Sequence, residues 1–323
     1  MENNSSGLRK TTIALMLARG KVDESPGMES LKYKALLPVN EKPVADYVLR
    51  ALQGSMVDRV FIAQSPDARL RDVLTEHPKN IFLDVDGNED SLAWSLAKSL
   101  EQVLDCYELE DLKNLTIMIT PCDVPLVTAG DFDDLILQAQ SQDYSLLLTM
   151  VPYQVVREAF PHKRFQKLFH ADIQQTMSMQ GVVFVSGETF RVKLPASSDV
   201  RLIVLDSEGA PIPSLERLID RVRRGRKSIW LWPGFVFHVF IRRFVANGRV
   251  LDACQLVIDM VLRKMTVEKI HRYLFGALGI TAGAVCSHNP RLSGDIDTYQ
   301  DLMIISPLLQ VESVLPRFII PGA

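Results

Sequence analysis

Thr116-Ile117-Met118-Ile119-Thr120-Pro121-Cys122-Asp123-Val124-Pro125-Leu126-Val127-Thr128 carries a short β-favouring run into an acidic turn. An unbroken apolar run of this length reads as a strand buried on both faces, and proline stops its ladder because it has no N–H to donate. The strand is expected to end at Thr120, which leaves Asp123 just past its carboxyl end. Open α/β sheets bind ligands at that edge, so a carboxylate placed there can hold a metal or a phosphate-bearing substrate. An aspartate that merely turns the chain ahead of the next helix fits the same residues.

Working outward, strand and helix patterns alternate through the first half. Residues 11–17 form an apolar run that empties into Ala18-Arg19-Gly20-Lys21 and a polar loop. A strand followed by a glycine-containing loop can bring backbone N–H groups close to phosphates, although a single glycine also suits a plain turn. A helix is expected from Val44, with Pro43 at its start, then strands over residues 58–63 and 80–83 with a short helix over 67–74 between them. Asn88 to Ser91 cap a longer helix through Val103, and Thr128 or Asp131 begins another. Residues 144–151 read as a further strand. Such alternation predicts an α/β fold with a doubly wound, mostly parallel sheet and right-handed crossovers.

In the second half, residues 154–164 read as a helix entering a basic loop, 165–171 and 181–186 as strands, and 213–224, 251–264 and 266–278 as helices. A last strand spans 279–286. The sequence then returns Asp295-Ile296-Asp297-Thr298 with Asp301. Asp297 has the setting of a helix N-cap, whereas Asp295, on the same side of an extended backbone, does not.

Composition narrows the partners. The 323 residues are 47% hydrophobic and 23% charged with a net charge of -3, which provides no footprint for nucleic acid. The basic cluster from Arg221 to Lys227 reads as the solvated end of an amphipathic helix. Four scattered cysteines form no CxxC pair, and the first residues lack a signal-peptide pattern, so a reducing, cytoplasmic setting is expected. No apolar run is long enough to span a membrane, since residues 229–241 lead into Arg242 and Arg243.

Four segments in register resemble the MobA-like nucleotidyltransferases: Lys34-Ala35-Leu36-Leu37-Pro38-Val39 with Lys42-Pro43, Asp90-Ser91 at a helix head, the Cys122 to Thr128 turn, and Asp295 to Thr298 with Asp301-Leu302. Val151-Pro152 and Phe160-Pro161 ahead of a basic stretch are similar to a larger subgroup of that family. The resemblance covers roughly residues 11–305 and implies a Rossmann-like fold of the nucleotide-diphospho-sugar transferase type. It implies one nucleotidyltransferase-like domain over 11–305, with a helical insertion at about 211–278, between a flexible N-terminus (1–10) and a C-terminal tail (306–323). The implied reaction is Mg²⁺-dependent transfer of a nucleotidyl group from an NTP to a small phosphorylated acceptor with release of pyrophosphate. On the same footing, Lys34, Asp123 and Asp295 are the catalytic candidates, and Asp123, Asp295 and Asp297 the metal ligands. Ala18, Arg19, Gly20, Lys34 and Ser91 would bind the nucleotide, and Lys163, Arg164 and Lys167 the acceptor, with a homo-oligomer compatible with the pattern. Those last three charges also fit a solvated surface.

Two positions depart from the family pattern. Arg19 stands where the first loop usually has a glycine, and Met179-Gln180-Gly181 replaces a glycine-glycine-asparagine. These departures keep open an alternative, a diverged protein that binds a nucleotide or sugar nucleotide without turnover. A glycosyl transfer on the same fold would need its paired aspartates at Asp84-Val85-Asp86 or Asp295-Ile296-Asp297.

Overall fold

The computed structural model describes residues 11–22, 32–87, 92–108, 110–162, 169–170, 176–186, 244, 248–262, 264, 266–278 and 281–310. The elements in chain order are β1 (Thr11–Leu17), β2 (Pro38–Val39), β3 (Lys42–Pro43), α1 (Val44–Gly54), β4 (Arg59–Gln64) and β5 (Asn80–Asp84). After these come α2 (Leu92–Leu104), β6 (Leu115–Pro121), α3 (Ala129–Gln140), β7 (Leu146–Pro152), α4 (Tyr153–Ala159), β8 (Phe169–His170) and β9 (Thr176–Ser186). The helices α5 (Val250–Val261) and α6 (Val267–Leu278) precede the last strand β10 (Ala282–Cys286), and α7 (Tyr299–Gln310) follows it.

One sheet runs β10-β7-β9-β6-β1-β4-β5, with β8 paired to β9. β1 is parallel to β4 and β6, β4 to β5, and β7 to β10, while β9 lies antiparallel between β6 and β7. All strands of this row except β9 therefore point their carboxyl ends to one edge. Alternation sends neighbouring side chains to opposite faces, where both are covered. Ala14, Met16, Val60, Ile62 and Met118 join α1 and α3 in one core, and Ile13, Leu15, Phe61, Ala63, Ile117 and Ile119 join Val103 of α2 in the other.

This is the mostly parallel, doubly wound sheet expected, with helices inserted before its last strand. From β1 the chain steps outward to β4 and β5, then returns to the other side of β1 as β6. The reversal opens a crevice at the carboxyl ends of β1 and β6, the position where such sheets take ligands.

Local expectations fail in places with identifiable causes. The helix expected over 67–74 is two short turns, Pro66–Ala68 and Leu70–Asp72, broken at Arg69 with φ 46°. Gln64 Oε1 takes the Leu70 N–H at 2.8 Å, which removes a donor from a continuous helix. Of the segment over 154–164, read as a helix entering a basic loop, the helix is Tyr153–Ala159; it stops there because Phe160 precedes Pro161 and leaves helical geometry at φ -130°, ψ 68°. The helix expected over 213–224 lies outside the described residues. None of the described helices is long and apolar enough to cross a membrane.

The inserted helices α5 and α6 are joined by Asp259, which is 2% exposed. Its carboxylate accepts from Lys269 Nζ at 2.6 Å, Tyr273 OH at 2.6 Å and Gln255 Nε2 at 3.1 Å. Burial alone would raise its pKa, but these donors outweigh burial and hold it below the ordinary aspartate value. A depressed folded pKa stabilises above the unfolded value, and the contribution fades as pH falls through the folded one. Asp259→Ala is expected to cost about 2–3 kcal/mol at pH 7, the low side of breaking a buried pair because Lys269 stays partly solvated. Denaturant melts at pH 7 and at acid pH check this: the difference between variant and parent should shrink below the ordinary aspartate range.

Candidate active site at the β1–β6 switch point

Three loops meet at the crevice. The first leaves β1 at Ala18, whose N–H continues the ladder to Ala63 O at 2.9 Å. Its two described arms, residues 20–22 and 32–34, pair: Lys21 with Tyr33, Val22 N donating to Lys32 O at 3.1 Å, and Lys34 N donating to Gly20 O at 2.8 Å. Lys32 and Tyr33 both reach the Asp67 carboxylate, which ties the second arm to the connection after β4. Lys34 thereby returns to the mouth of the crevice.

The second loop carries Asp123 past the end of β6 and runs into α3. Thr128 caps that helix in a reciprocal box with Asp131, which fixes the length of the turn. The third loop brings Asp295 and Asp297 back beside it after β10. Ile296 is fully buried and donates its N–H to Asp123 O at 2.9 Å, so its two acidic neighbours face away from the core together. Gly294 permits this approach: a Cβ there would lie 2.8 Å from Leu126 Cδ1.

Lys34 Nζ occupies the centre. It bonds the Asp297 carboxylate and stands 3.5 Å from Asp123 Oδ2, with the Lys34 and Asp123 side chains only 12% and 14% exposed. Burial by itself would lower the lysine pKa. The charges of Asp123, Asp297 and Asp295 overcome it and hold the ammonium above its ordinary value. Asp297 is not the helix cap. Thr298 caps α7, exchanging bonds with Asp301 (Asp301 N to Thr298 Oγ1, 3.2 Å; Thr298 N to Asp301 Oδ2, 2.9 Å) and leaving the Asp297 side chain to Lys34.

Arg19 shows what its position requires. Its φ is not among the positive values, found for Asn40, Glu41 and Arg69, so no left-handed backbone is forced on it. Its side chain is buried toward the ends of β4 and β5, with Nε 3.4 Å from Ser65 Oγ and Nη2 3.5 Å from Gly87 O. Gly181 packs on the end of β6, where a Cβ would come within 2.9 Å of Pro121 Cγ. The buried Gln180 accepts from Ser293 Oγ at 2.7 Å, linking β9 to the third loop, a pairing that no local signal announces.

Of the expected site residues, the structure thus gathers Lys34, Asp123, Asp295 and Asp297, with Ala18, Arg19 and Gly20 on the adjoining loop. Ser91, Lys163, Arg164 and Lys167 lie outside the described residues. Asp84, at the end of β5, accepts from Gln64 Nε2 at 2.8 Å and closes its strand. Cavities of about 140 and 390 Å³ lie elsewhere, the first at the opposite edge of the sheet and the second along β10. Among the described residues no three His, Cys, Asp or Glu side chains are grouped to hold a metal by themselves. A hard cation at the crevice would complete its shell with water and phosphate oxygens, as Mg²⁺ does when held by one or two carboxylates.

A mostly parallel sheet with a lysine held among aspartates at its switch point defines an α/β architecture of the kind that takes ligands at that crevice. Residues 23–181 match the family model described as MobA-like NTP transferase domain. No curated protein matches the sequence. Among solved structures, a hypothetical transferase from Thermus thermophilus is 17% identical with a TM-score of 0.57, covering 90% of this chain and 99% of its own, a likeness of fold. The 4-diphosphocytidyl-2C-methyl-D-erythritol synthase of Anaerococcus prevotii DSM 20548 (11% identity, TM-score 0.46, covering 94% of this chain and all of its own) is more remote. So is a CMP:2-keto-3-deoxy-manno-octonic acid synthetase complexed with CTP (14%, 0.46, covering 94% of this chain and 99% of its own). Neither of these two carries weight at that distance.

Proposed function

We propose that the protein is a Mg²⁺-dependent nucleotidyltransferase that moves a nucleoside monophosphate from an NTP to a small phosphorylated acceptor. The observation that carries this reading is the placement of Lys34 Nζ among Asp123, Asp295 and Asp297 at the switch-point crevice. In the reaction an acceptor phosphate oxygen attacks the α-phosphorus, the bond to the β-phosphate oxygen breaks, and pyrophosphate leaves. Two anions must approach, so catalysis rests on positioning and on screening charge.

Asp123, with Asp295 and Asp297, would hold Mg²⁺, which screens the phosphate oxygens and polarises the phosphorus. Lys34 acts as a point charge on the phosphates. Its elevated pKa keeps it charged at every physiological pH. Ala18, Arg19 and Gly20 line the nucleotide side, and Arg19 reaches across the ends of β4 and β5. Lys163, Arg164 and Lys167 remain the acceptor-side candidates.

The test is pyrophosphate release by the purified protein with Mg²⁺, each of the four NTPs, and a panel of phosphosugars, phosphopterins and phosphorylated hydroxy acids. Release with one nucleotide and one acceptor class is expected. Arg19 in place of the usual glycine favours one second reading, nucleotide binding without turnover. Calorimetric binding of an NTP with no release across the panel would establish that reading and remove the first.

A further inference from the structure

We propose that His162 is a positioning residue for the loop that carries Asp295 and Asp297, acting through Asp301. His162 follows α4 and lies far in sequence from that loop, yet the fold sets its imidazole against it. The His162 side chain is 17% exposed and that of Asp301 8%, with Nε2 3.4 Å from Asp301 Oδ1. This nitrogen is buried and has no hydrogen-bond partner. The edge-to-face contact of the imidazole with Phe160, at 6.3 Å and 83°, fixes the plane of the ring.

Asp301 is used on both sides. Its Oδ2 accepts from Asp297 N at 3.2 Å, Thr298 N at 2.9 Å and Thr298 Oγ1 at 2.8 Å, which clamps the backbone beneath the Asp297 carboxylate. Its Oδ1 faces His162. A continuous line of polar contacts therefore runs from His162 to Asp301, to the Asp297 backbone, from the Asp297 carboxylate to Lys34, and on to Asp123.

The His162 contact is the long one. A nitrogen buried beside a carboxylate at 3.4 Å, outside good hydrogen-bond geometry, leaves the imidazole poorly satisfied, and a shift of a few tenths of an ångström completes a strong bond. Polar contacts in unliganded sites commonly tighten when the site is filled. Engagement of His162 fixes Asp301 and so the direction in which Asp295 and Asp297 present their carboxylates.

The effect on metal and catalysis rests on the nucleotidyltransferase reading; the positioning of the loop does not. The experiment uses the full chain and two variants, His162→Ala and His162→Gln, the second of which keeps an N–H donor near the Nε2 position. Amide hydrogen exchange at Asp297 and Thr298 reads the clamp directly, and exchange about tenfold faster is expected in the alanine variant and close to parent in the glutamine variant. Mn²⁺ binding in the presence of each NTP, followed by electron paramagnetic resonance, is expected to weaken about tenfold in His162→Ala, the low end for losing a group that orients a metal ligand. His162→Gln should stay within about threefold. Where pyrophosphate is released, the loss should fall on KM for the metal–nucleotide, with kcat changed less.

Unchanged exchange at Asp297 and Thr298 in His162→Ala overturns the proposal. So does equal acceleration in both variants, since that marks packing of the ring and not donation to Asp301. A parent protein that binds no Mn²⁺ and releases no pyrophosphate defeats the enzymatic reading instead, and the exchange measurements still decide the role of His162.

Discussion

Asp123→Asn is expected to lower metal-dependent pyrophosphate release by roughly 10²–10³-fold, the scale for removing one group that stabilises developing charge. The fold should barely respond. The main-chain carbonyl of residue 123 still accepts from Ile296 N, asparagine keeps the side chain's shape, and Lys34 retains Asp297 as its partner. A melting shift within about 1 kcal/mol is therefore expected, the range of substitutions away from core features. Pyrophosphate assays across a Mg²⁺ titration, paired with thermal melts, check both parts. Full activity in the variant would return Asp123 to the role of a turn residue, and a large loss of stability would place it in the scaffold.

Lys34→Met carries the second large effect, and its signature is different. Removing the ammonium takes away the point charge for the phosphates, with an expected loss of about 10³-fold in kcat/KM. It also removes the cation on which Asp123, Asp295 and Asp297 all act. The metal-free variant should lose about 1–3 kcal/mol of stability, because partly buried like charges lose their counter-ion. Added Mg²⁺ should restore part of this, and more so than in the parent, since a cation that binds only the folded state stabilises it by mass action.

The sign of the parent's pH dependence also follows. A lysine whose folded pKa is raised contributes stability that is fully present below its unfolded value and disappears only as pH rises through the folded one. The charge of Lys34 should thus impose no alkaline loss of activity below about pH 10, the ordinary lysine value. Melts and rates measured from pH 7 to pH 10 test this. A variant that melts like the parent with and without Mg²⁺ would show that the three carboxylates do not depend on the Lys34 charge as described.

Much of the scaffold was legible because its signals are local. The run read as ending at Thr120, which extends one residue further to Pro121 in β6, the proline that opens α1 and the Thr128 cap with Asp131 three residues on each act within a few residues of the backbone they shape. The expected strand over 11–17 is β1 residue for residue. Where two local signals compete, the reading went astray. Pattern alone gives one helix over 67–74, but a glutamine side chain from β4 takes the Leu70 N–H and the chain breaks at Arg69.

The residues gathered at the crevice were legible in type and order but not in pairing. Lys34 and Asp297 are separated by 263 positions, and nothing near Asp297 says that its carboxylate belongs to a lysine while Thr298 caps the helix. Arg19 looked like a disruption of the first loop, and the fold shows an unforced backbone with the side chain turned toward Ser65 and Gly87. His162 and Gln180 carry no motif at all; they matter through Asp301 and Ser293, which the sheet brings to them.

By itself the sequence determined the alternating strands and helices, and with them the parallel sheet and the acidic turn at its carboxyl edge, because hydrophobic period, proline and capping act over one turn or one strand. The tertiary structure alone decided which charges neutralise one another at that edge. That outcome depends on where β1 and β6 diverge and on how closely Gly294 lets the returning loop approach Leu126, distances that residue spacing along the chain does not encode.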